Sequence, residues 1–277
     1  MIIGIIGMGL IGGSLCRTVK KKTEHICLGF DIDKHTLTEA VAQEAIDGVL
    51  EDIGVCDITF VCLHPTKTIE YILENKDRFK PGSIVCDVCG IKKYITDNVD
   101  GKLGGAHFVG CHPMAGREFS GFDYSVDDLF ENASFIMTKT DKTDENSIDG
   151  IAALAGELGF GRVVVTTPEV HDSTIAYTSQ LAHIVSSAYV KSPTLKNESG
   201  FSAGSFRDLT RVAYLNADMW TDIFMQNRQP LIYEIDTIIK NLTNYSQVLK
   251  NADRSGLHAL LKEGSELKEW HNKSRLG

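Results

Sequence analysis

Through the first 167 residues, short apolar runs of strand length alternate with longer segments of helical periodicity. The runs Ile2–Ile6, Ile26–Asp31, Ile58–Leu63, Ser83–Val88, His107–Cys111, Ser134–Thr138 and Arg162–Thr166 predict strands. The segments Leu10–Lys22, Lys34–Glu44, Thr66–Asn75 and Glu145–Leu158 predict helices. Such alternation predicts an α/β architecture, with a doubly wound parallel sheet covered on both faces. The pattern changes at Pro168, after which no convincing strand period occurs. Glu169–Val190 reads as one long helix with Pro168 in its first turn. Ser205–Asn216 is a second helix, and Met219–Lys250 is one helix or two, since Pro230 predicts a kink or break near Gln229. Residues 251–277 are polar and weakly helical. The expected division is therefore 1–167 as an α/β domain and 168–277 as an all-α domain.

The first turn of the chain carries specific chemistry. The run Met1–Ile6 leads into Gly7-Met8-Gly9-Leu10-Ile11-Gly12, a G-x-G-x-x-G turn that opens a helix, and Asp31 ends the next strand. Strand, glycine turn, helix, strand and acid in this order form the dinucleotide-binding fingerprint of a Rossmann domain. Gly7 makes the turn, Gly9 lets a pyrophosphate approach the backbone, and Gly12 lets the helix pack close to the strand. The pyrophosphate would sit on the free N–H groups at the helix start near Leu10. Asp31 suits the ribose hydroxyls of NAD and repels a 2′-phosphate. Asp33 adds a second charge, or serves as the cap of the next helix, the role it fits better than Asp31. Lys34 and His35 keep NADP as the alternative.

Composition narrows the setting. A hydrophobic fraction of 43% over 277 residues supports a sizeable core, and a net charge of −9 argues against nucleic acid as partner. No apolar run reaches membrane-spanning length. The glycine turn at the very start leaves no room for a leader, and the seven cysteines read as reduced thiols, so a cytoplasmic location is expected. Acidic residues are concentrated early: residues 1–167 hold 16 Lys+Arg against 25 Asp+Glu, and the remainder 12 against 12. An anionic substrate would need a local basic site. Cys86-Asp87-Val88-Cys89 has C-x-x-C spacing but no second ligand pair, so no metal is expected.

His112 is the leading catalytic candidate. It follows the apolar strand ending at Cys111 and precedes Pro113, at the carboxyl edge where open α/β sheets bind ligands. A lone histidine is more often structural, so position alone leaves both readings open. Arg207 and Arg211, four apart on one helix face, either flank an anion or belong to a solvated face with an Asp208–Arg211 pair. His171 and His183 are about 120° apart on a regular helix and cannot share one ligand. Gln180 shares the His183 face.

At this point the chain resembles a known family. Gly110-Cys111-His112-Pro113-Met114-Ala115-Gly116-Arg117-Glu118 is similar to the G-x-HPMAG-x-E signature of prephenate dehydrogenases. The match continues through Thr167-Pro168-Glu169-Val170-His171-Asp172, Ser179-Gln180-Leu181-Ala182-His183, Phe206-Arg207-Asp208-Leu209-Thr210-Arg211 and Trp220. The resemblance implies NAD(P)-dependent oxidative decarboxylation of prephenate to 4-hydroxyphenylpyruvate, in tyrosine biosynthesis, by a homodimer joined through its helical domain, and Asp31 and Asp33 favour NAD as the cofactor. It implies that His112 faces the substrate hydroxyl, that Arg211 holds a substrate carboxylate, and that His171, His183 and Trp220 line or support the cleft. Arogenate is the alternative substrate, and a non-catalytic NAD-binding sensor is a further alternative.

One departure stands out. Where the family commonly has D-x-G-S-V-K, this chain has Asp87-Val88-Cys89-Gly90-Ile91-Lys92. Gly90 falls where a serine would lie near the substrate, so that hydrogen bond must come from water, Cys89 or backbone, or be absent.

Overall fold

A computed structural model describes residues 1–117 and 119–274 of the chain. Eight strands form one sheet in the order β3-β2-β1-β4-β5-β6-β7-β8. They are β1 (Ile2–Ile6), β2 (Ile26–Phe30), β3 (Gly48–Val49), β4 (Ile58–Val61), β5 (Ile84–Asp87), β6 (His107–Pro113), β7 (Ser134–Thr138) and β8 (Arg162–Thr166). Helices α1 (Leu10–Lys22), α2 (Lys34–Ala42), α3 (Pro65–Glu74), α4 (Lys93–Val99) and α5 (Glu145–Glu157) lie between them in sequence. The expected α/β sheet is present, with one difference from uniform parallel pairing: β6 and β7 are antiparallel, and β8 runs parallel to β7. Phe135 pairs with Pro113, so β7 begins beside the point where β6 ends. The connection therefore stays at the carboxyl edge and needs no crossover helix.

The central strands are buried on both faces, which is why they read as continuous apolar runs. Ile3, Ile5, Phe60, Val85, Cys86, Val109 and Cys111 are all essentially inaccessible. Two apolar clusters result. One is built around Leu15, Val19, Phe130, Phe135 and Leu154, and the other around Ile69, Ile72, Val85, Ile95 and Val99. Each aliphatic side chain so buried stabilises the fold by roughly 1.5–3 kcal/mol. All seven cysteines are free thiols, and only Cys62 is less than fully buried.

Local signals set several helix starts. Asp33 caps α2, accepting from the N–H groups of His35 at 3.0 Å and Thr36 at 3.4 Å. Helix α6 (Pro168–Ile175) has Thr167 as its cap, Pro168 in its first turn and Glu169 beside it. A five-residue π turn, Ala176–Gln180, follows, and α7 (Leu181–Tyr189) continues from it. The expected single helix is thus present with a widened turn inside. Helix α8 (Gly204–Thr210) stops short of the Asn216 expected to end it, because Asn216 instead caps α9 (Ala217–Gln226), accepting the Met219 N–H at 3.0 Å; α9 and the helix after it are the two helices into which the expected Met219–Lys250 span divides.

The chain separates into two compact units, Met1–Asn227 and Arg228–Gly277. The first includes α6 to α9 with the sheet. The second consists of α10 (Arg228–Lys250) and α11 (Arg254–Ser274), so the polar tail is more helical than its sequence predicts. Helix α10 begins right after Asn227, which places Pro230 in a first turn where its missing N–H costs nothing. Ala252, at φ 51°, makes the turn between the two helices, and the Tyr245 hydroxyl donates to the Leu260 carbonyl at 3.2 Å. Among the described residues, no helix is long and apolar enough to cross a membrane.

Candidate active site

The glycine turn is built as the sequence predicts. Gly7 has φ +83°, and a Cβ there would lie 2.7 Å from the Leu63 side chain. A Cβ on Gly12 would lie 1.9 Å from the Gly7 carbonyl oxygen, so only glycine lets α1 sit this close to β1. Around Gly9, by contrast, a Cβ would meet nothing within 4 Å. That open space lies at the start of α1, which has no side-chain cap. Helix α1 thus offers free backbone donors to an anion, as a pyrophosphate requires. Met8, Leu10 and Ile11 complete the turn, and Met8 is buried.

Asp31 stands at the mouth of this turn. Its Oδ2 accepts the Met8 N–H at 2.7 Å and its Oδ1 accepts the Asp33 N–H at 2.9 Å. Gly7, Asp31, Leu63, Lys67, Glu70 and Tyr71 line a cleft of about 370 Å³. Within it Lys67 is paired with Glu70 at 2.6 Å. The residues present fit a dinucleotide.

At the carboxyl edge of the sheet lies a second group. His112, near the end of β6, is half-buried. Its Nδ1 is 2.9 Å from His171 Nε2, and His171 Nδ1 is 2.7 Å from Asp172 Oδ1. Gly90 is beside the other ring nitrogen: a Cβ on Gly90 would lie 3.7 Å from His112 Nε2. Position 90 therefore faces His112, with room there in place of a hydroxyl. Cys89 does not fill that role, because its thiol is directed at the Leu63 carbonyl, 3.5 Å away, and the Thr68 hydroxyl, 3.6 Å away. Burial, and after it the neighbouring His171 and Lys92, hold the His112 imidazole well below the usual histidine range. Burial also lowers His171, with Asp172 opposing and Lys92 reinforcing the shift.

Beneath the histidines is a buried ion pair that the sequence did not single out. Lys92 and Asp87 are both fully inaccessible and bonded to each other. Lys92 also donates to the Cys111 carbonyl at 2.5 Å, and Asp87 accepts the Cys89 N–H at 2.9 Å. Together they join the ends of β5 and β6 and set the path of the Gly90 loop. Asp172 ties that loop to α6, accepting the N–H groups of Lys92 at 2.7 Å and Lys93 at 2.9 Å. Asn227 donates to the Asp172 carbonyl at 2.9 Å and to Gln180 at 2.8 Å. The available signal was the aspartate and lysine of the strand-end motif, since a buried lysine requires an anionic partner.

The remaining candidates cluster separately. His183 Nδ1 is 3.1 Å from the Val212 carbonyl oxygen, and its ring lies 4.1 Å from that of Trp220. Arg211, adjacent to Val212 and just past α8, is exposed, as is Arg207. His171 and His183 do serve separate partners, whereas Gln180 turns inward to Asn227 and not along the His183 face. Glu118, at the end of the HPMAG-x-E stretch, lies outside the described residues.

Comparison with known proteins agrees with this layout. Residues 15–165 match the family described as prephenate dehydrogenase, nucleotide-binding domain, and residues 167–263 match prephenate dehydrogenase, dimerization domain. A prephenate dehydrogenase of Bacillus subtilis is 28% identical over 96% of this chain and 74% of its own length. The crystal structure of Aquifex aeolicus prephenate dehydrogenase with hydroxyphenyl propionate and NAD+ superposes with a TM-score of 0.86 at 27% identity, covering 98% of both chains. That of Synechocystis arogenate dehydrogenase superposes with a TM-score of 0.85 at 26% identity, covering 98% of this chain and 100% of the other. With a nucleotide-binding turn and a histidine pair both at the carboxyl edge of its sheet, and both family domains matched in order, this chain belongs to the prephenate dehydrogenase family.

Proposed function

We propose that the protein oxidises and decarboxylates prephenate to 4-hydroxyphenylpyruvate with NAD as cofactor. The observation that carries this reading is the place of His112 at the carboxyl edge, where its Nε2 faces the open Gly90 position. NAD fits the glycine turn and Asp31, and when bound it supplies the acceptor for the hydride that leaves the ring carbon bearing the hydroxyl. His112 Nε2 takes the proton of that hydroxyl as it becomes a carbonyl. A neutral base is needed for this, and the lowered His112 keeps it neutral at physiological pH. Loss of the ring carboxylate as CO2 sends its bonding pair through the ring to the carbonyl oxygen, which takes up a proton as the phenol, and the gain of aromaticity makes the step effectively irreversible.

Arg211 suits the second carboxylate, since a guanidinium grips two oxygens in one plane and orients what it binds. His183 and Trp220, packed on each other beside the Arg211 segment, form an amphipathic wall for the same substrate. We take residues 1–167 as the nucleotide-binding part and 168–277 as the part that binds substrate and joins two copies into a homodimer. The matched dimerization domain and the exposed Ile239 and Leu242 of α10 support the second assignment. Seven free thiols suit a reducing cytoplasmic compartment.

Steady-state rates with prephenate and with arogenate, each with NAD and NADP, test the reading. Prephenate with NAD should give the highest kcat/KM. Faster turnover of arogenate would reassign the substrate, and turnover of neither would remove the function.

A further inference from the structure

We propose that Asp172, acting through His171, fixes the proton of His112 on Nδ1 and so presents an unprotonated Nε2 to the substrate side. The inference rests on the reading of His112 as the proton acceptor and assigns Asp172 and His171 as its positioning residues.

The hydrogen-bond directions follow from one end of the chain. Both carboxylate oxygens of Asp172 accept backbone N–H groups, from Lys92 and Lys93. A carboxylate only accepts, so the 2.7 Å contact to His171 requires the proton on His171 Nδ1. A neutral imidazole has one N–H, which leaves His171 Nε2 as an acceptor. The 2.9 Å contact between the rings then requires the proton on His112 Nδ1. Only His112 Nε2 remains free, and it points to the space beside Gly90. The opposite His112 tautomer would set lone pair against lone pair between the rings and would offer the substrate hydroxyl a nitrogen with no lone pair.

The charged groups around the pair are few. Lys92, between β5 and α4, reaches both rings electrostatically. Asp87 and Asp172 act on His171 from β5 and α6. Lys92 disfavours a proton on either ring, and the two carboxylates favour one on His171. When Nε2 of His112 takes the hydroxyl proton, its Nδ1 proton can pass to His171 Nε2. One proton enters the pair, and the positive charge comes to rest beside the Asp172 carboxylate. With glycine at position 90 and the Cys89 thiol turned away, neither residue supplies a side-chain hydroxyl or thiol to orient His112 from the Nε2 side.

Selective ¹⁵N-histidine labelling of the full chain, read by long-range ¹H–¹⁵N correlation near pH 7.5, tests this without reference to turnover. His112 signals are identified by their loss in His112→Asn. The expected spectrum shows protonated Nδ1 and unprotonated Nε2 on both His112 and His171. Asp172→Asn should mix or reverse the His112 tautomers and lower kcat by roughly 10- to 100-fold, the range for loss of a residue that orients a functional histidine. The KM for NAD should stay within about threefold. If Asp172→Asn does not fold, His171→Gln serves the same purpose. A wild-type His112 carrying its proton on Nε2, or a folded Asp172→Asn with unchanged His112 signals, overturns the proposal. If the tautomers are as expected but neither prephenate nor arogenate reacts, the relay stands and the assigned function fails.

Discussion

Asp31 Oδ2 accepts the Met8 backbone N–H at 2.7 Å, so the end of β2 is latched directly to the glycine turn. The carboxylate is thereby held still at the mouth of the nucleotide cleft. The nearby Lys67 is already neutralised by Glu70, and Glu74 adds a further negative charge to the lining. A 2′-phosphate would meet mostly negative charge. The protein should prefer NAD to NADP strongly, and equal or better kcat/KM with NADP would refute this.

Asp31→Ala should narrow that preference while weakening both cofactors. The substitution removes repulsion toward the phosphate and also the latch on Met8. A hydrogen bond to a charged group is worth about 1.5–3 kcal/mol, so KM for NAD should rise by roughly 10-fold or more. An unchanged KM for NAD would place the ribose elsewhere.

His112→Asn should leave the fold and NAD binding intact and lower kcat by roughly 10²–10⁴-fold, the usual contribution of a general base. A variant within about threefold of wild type would remove His112 from the chemistry.

The lowered His112 and His171 also set pH dependence. Both folded values lie below the unfolded value of about 6.5. At pH above 6.5 both rings are neutral, folded or not, and stability is full. As pH falls below 6.5, the unfolded chain takes up protons before the folded one, and stability is lost until the folded values are reached. Thermal scans from pH 7.5 to 5 should show Tm falling, with a shallower fall in His112→Asn. The acidic limb of kcat/KM should likewise lie below pH 6.5. A Tm that is flat or rises over this range would contradict the burial of neutral rings.

Arg211→Ala should raise KM for the substrate by roughly 10–150-fold, the loss of a charged hydrogen bond, and change KM for NAD little. Arg211→Lys should recover only part of this, because an ammonium lacks the planar fork. Arg207, on the neighbouring helix and equally exposed, is the control, and Arg207→Ala should matter much less. Similar effects for both would indicate a diffuse basic patch in place of a carboxylate clamp.

Light scattering at micromolar concentration should give the mass of a dimer. The expected apolar stripe on α10 is unevenly covered: Leu231 is buried, Ile235 and Ile238 half-buried, and Ile239 and Leu242 exposed. A second copy is the natural cover for the exposed members. A monomer would leave the stripe without that purpose.

Elements whose signals are local were legible in the sequence. β1, α1, β7 and β8 have the predicted bounds, and Asp33 caps α2 as its spacing suggests. Helix α4 was not legible. It has no side-chain cap of its own, and its opening N–H groups are satisfied by Asp172, far along the chain. The same distance hid the site's inner layer. His112 stood out because it ends a strand before a proline, and Asp172 was visible only as a neighbour of His171. That the aspartate holds α4 and the histidine pair together is a tertiary fact, absent from any window of sequence.

The π turn at Ala176–Gln180 has a consequence for the angular phase of everything after it. Before it, His171 points to His112, and after it His183 points to Trp220, while Gln180 at its end is locked inward on Asn227. Each residue of a helix advances the chain by about 100°. The π turn takes up one residue more than an α-helical turn, so closing it to ordinary helix without removing a residue would rotate His183 by about 100°, away from Trp220 and the Val212 carbonyl. The one extra residue that the turn takes up, more than the side chains it carries, sets the direction His183 faces relative to His171.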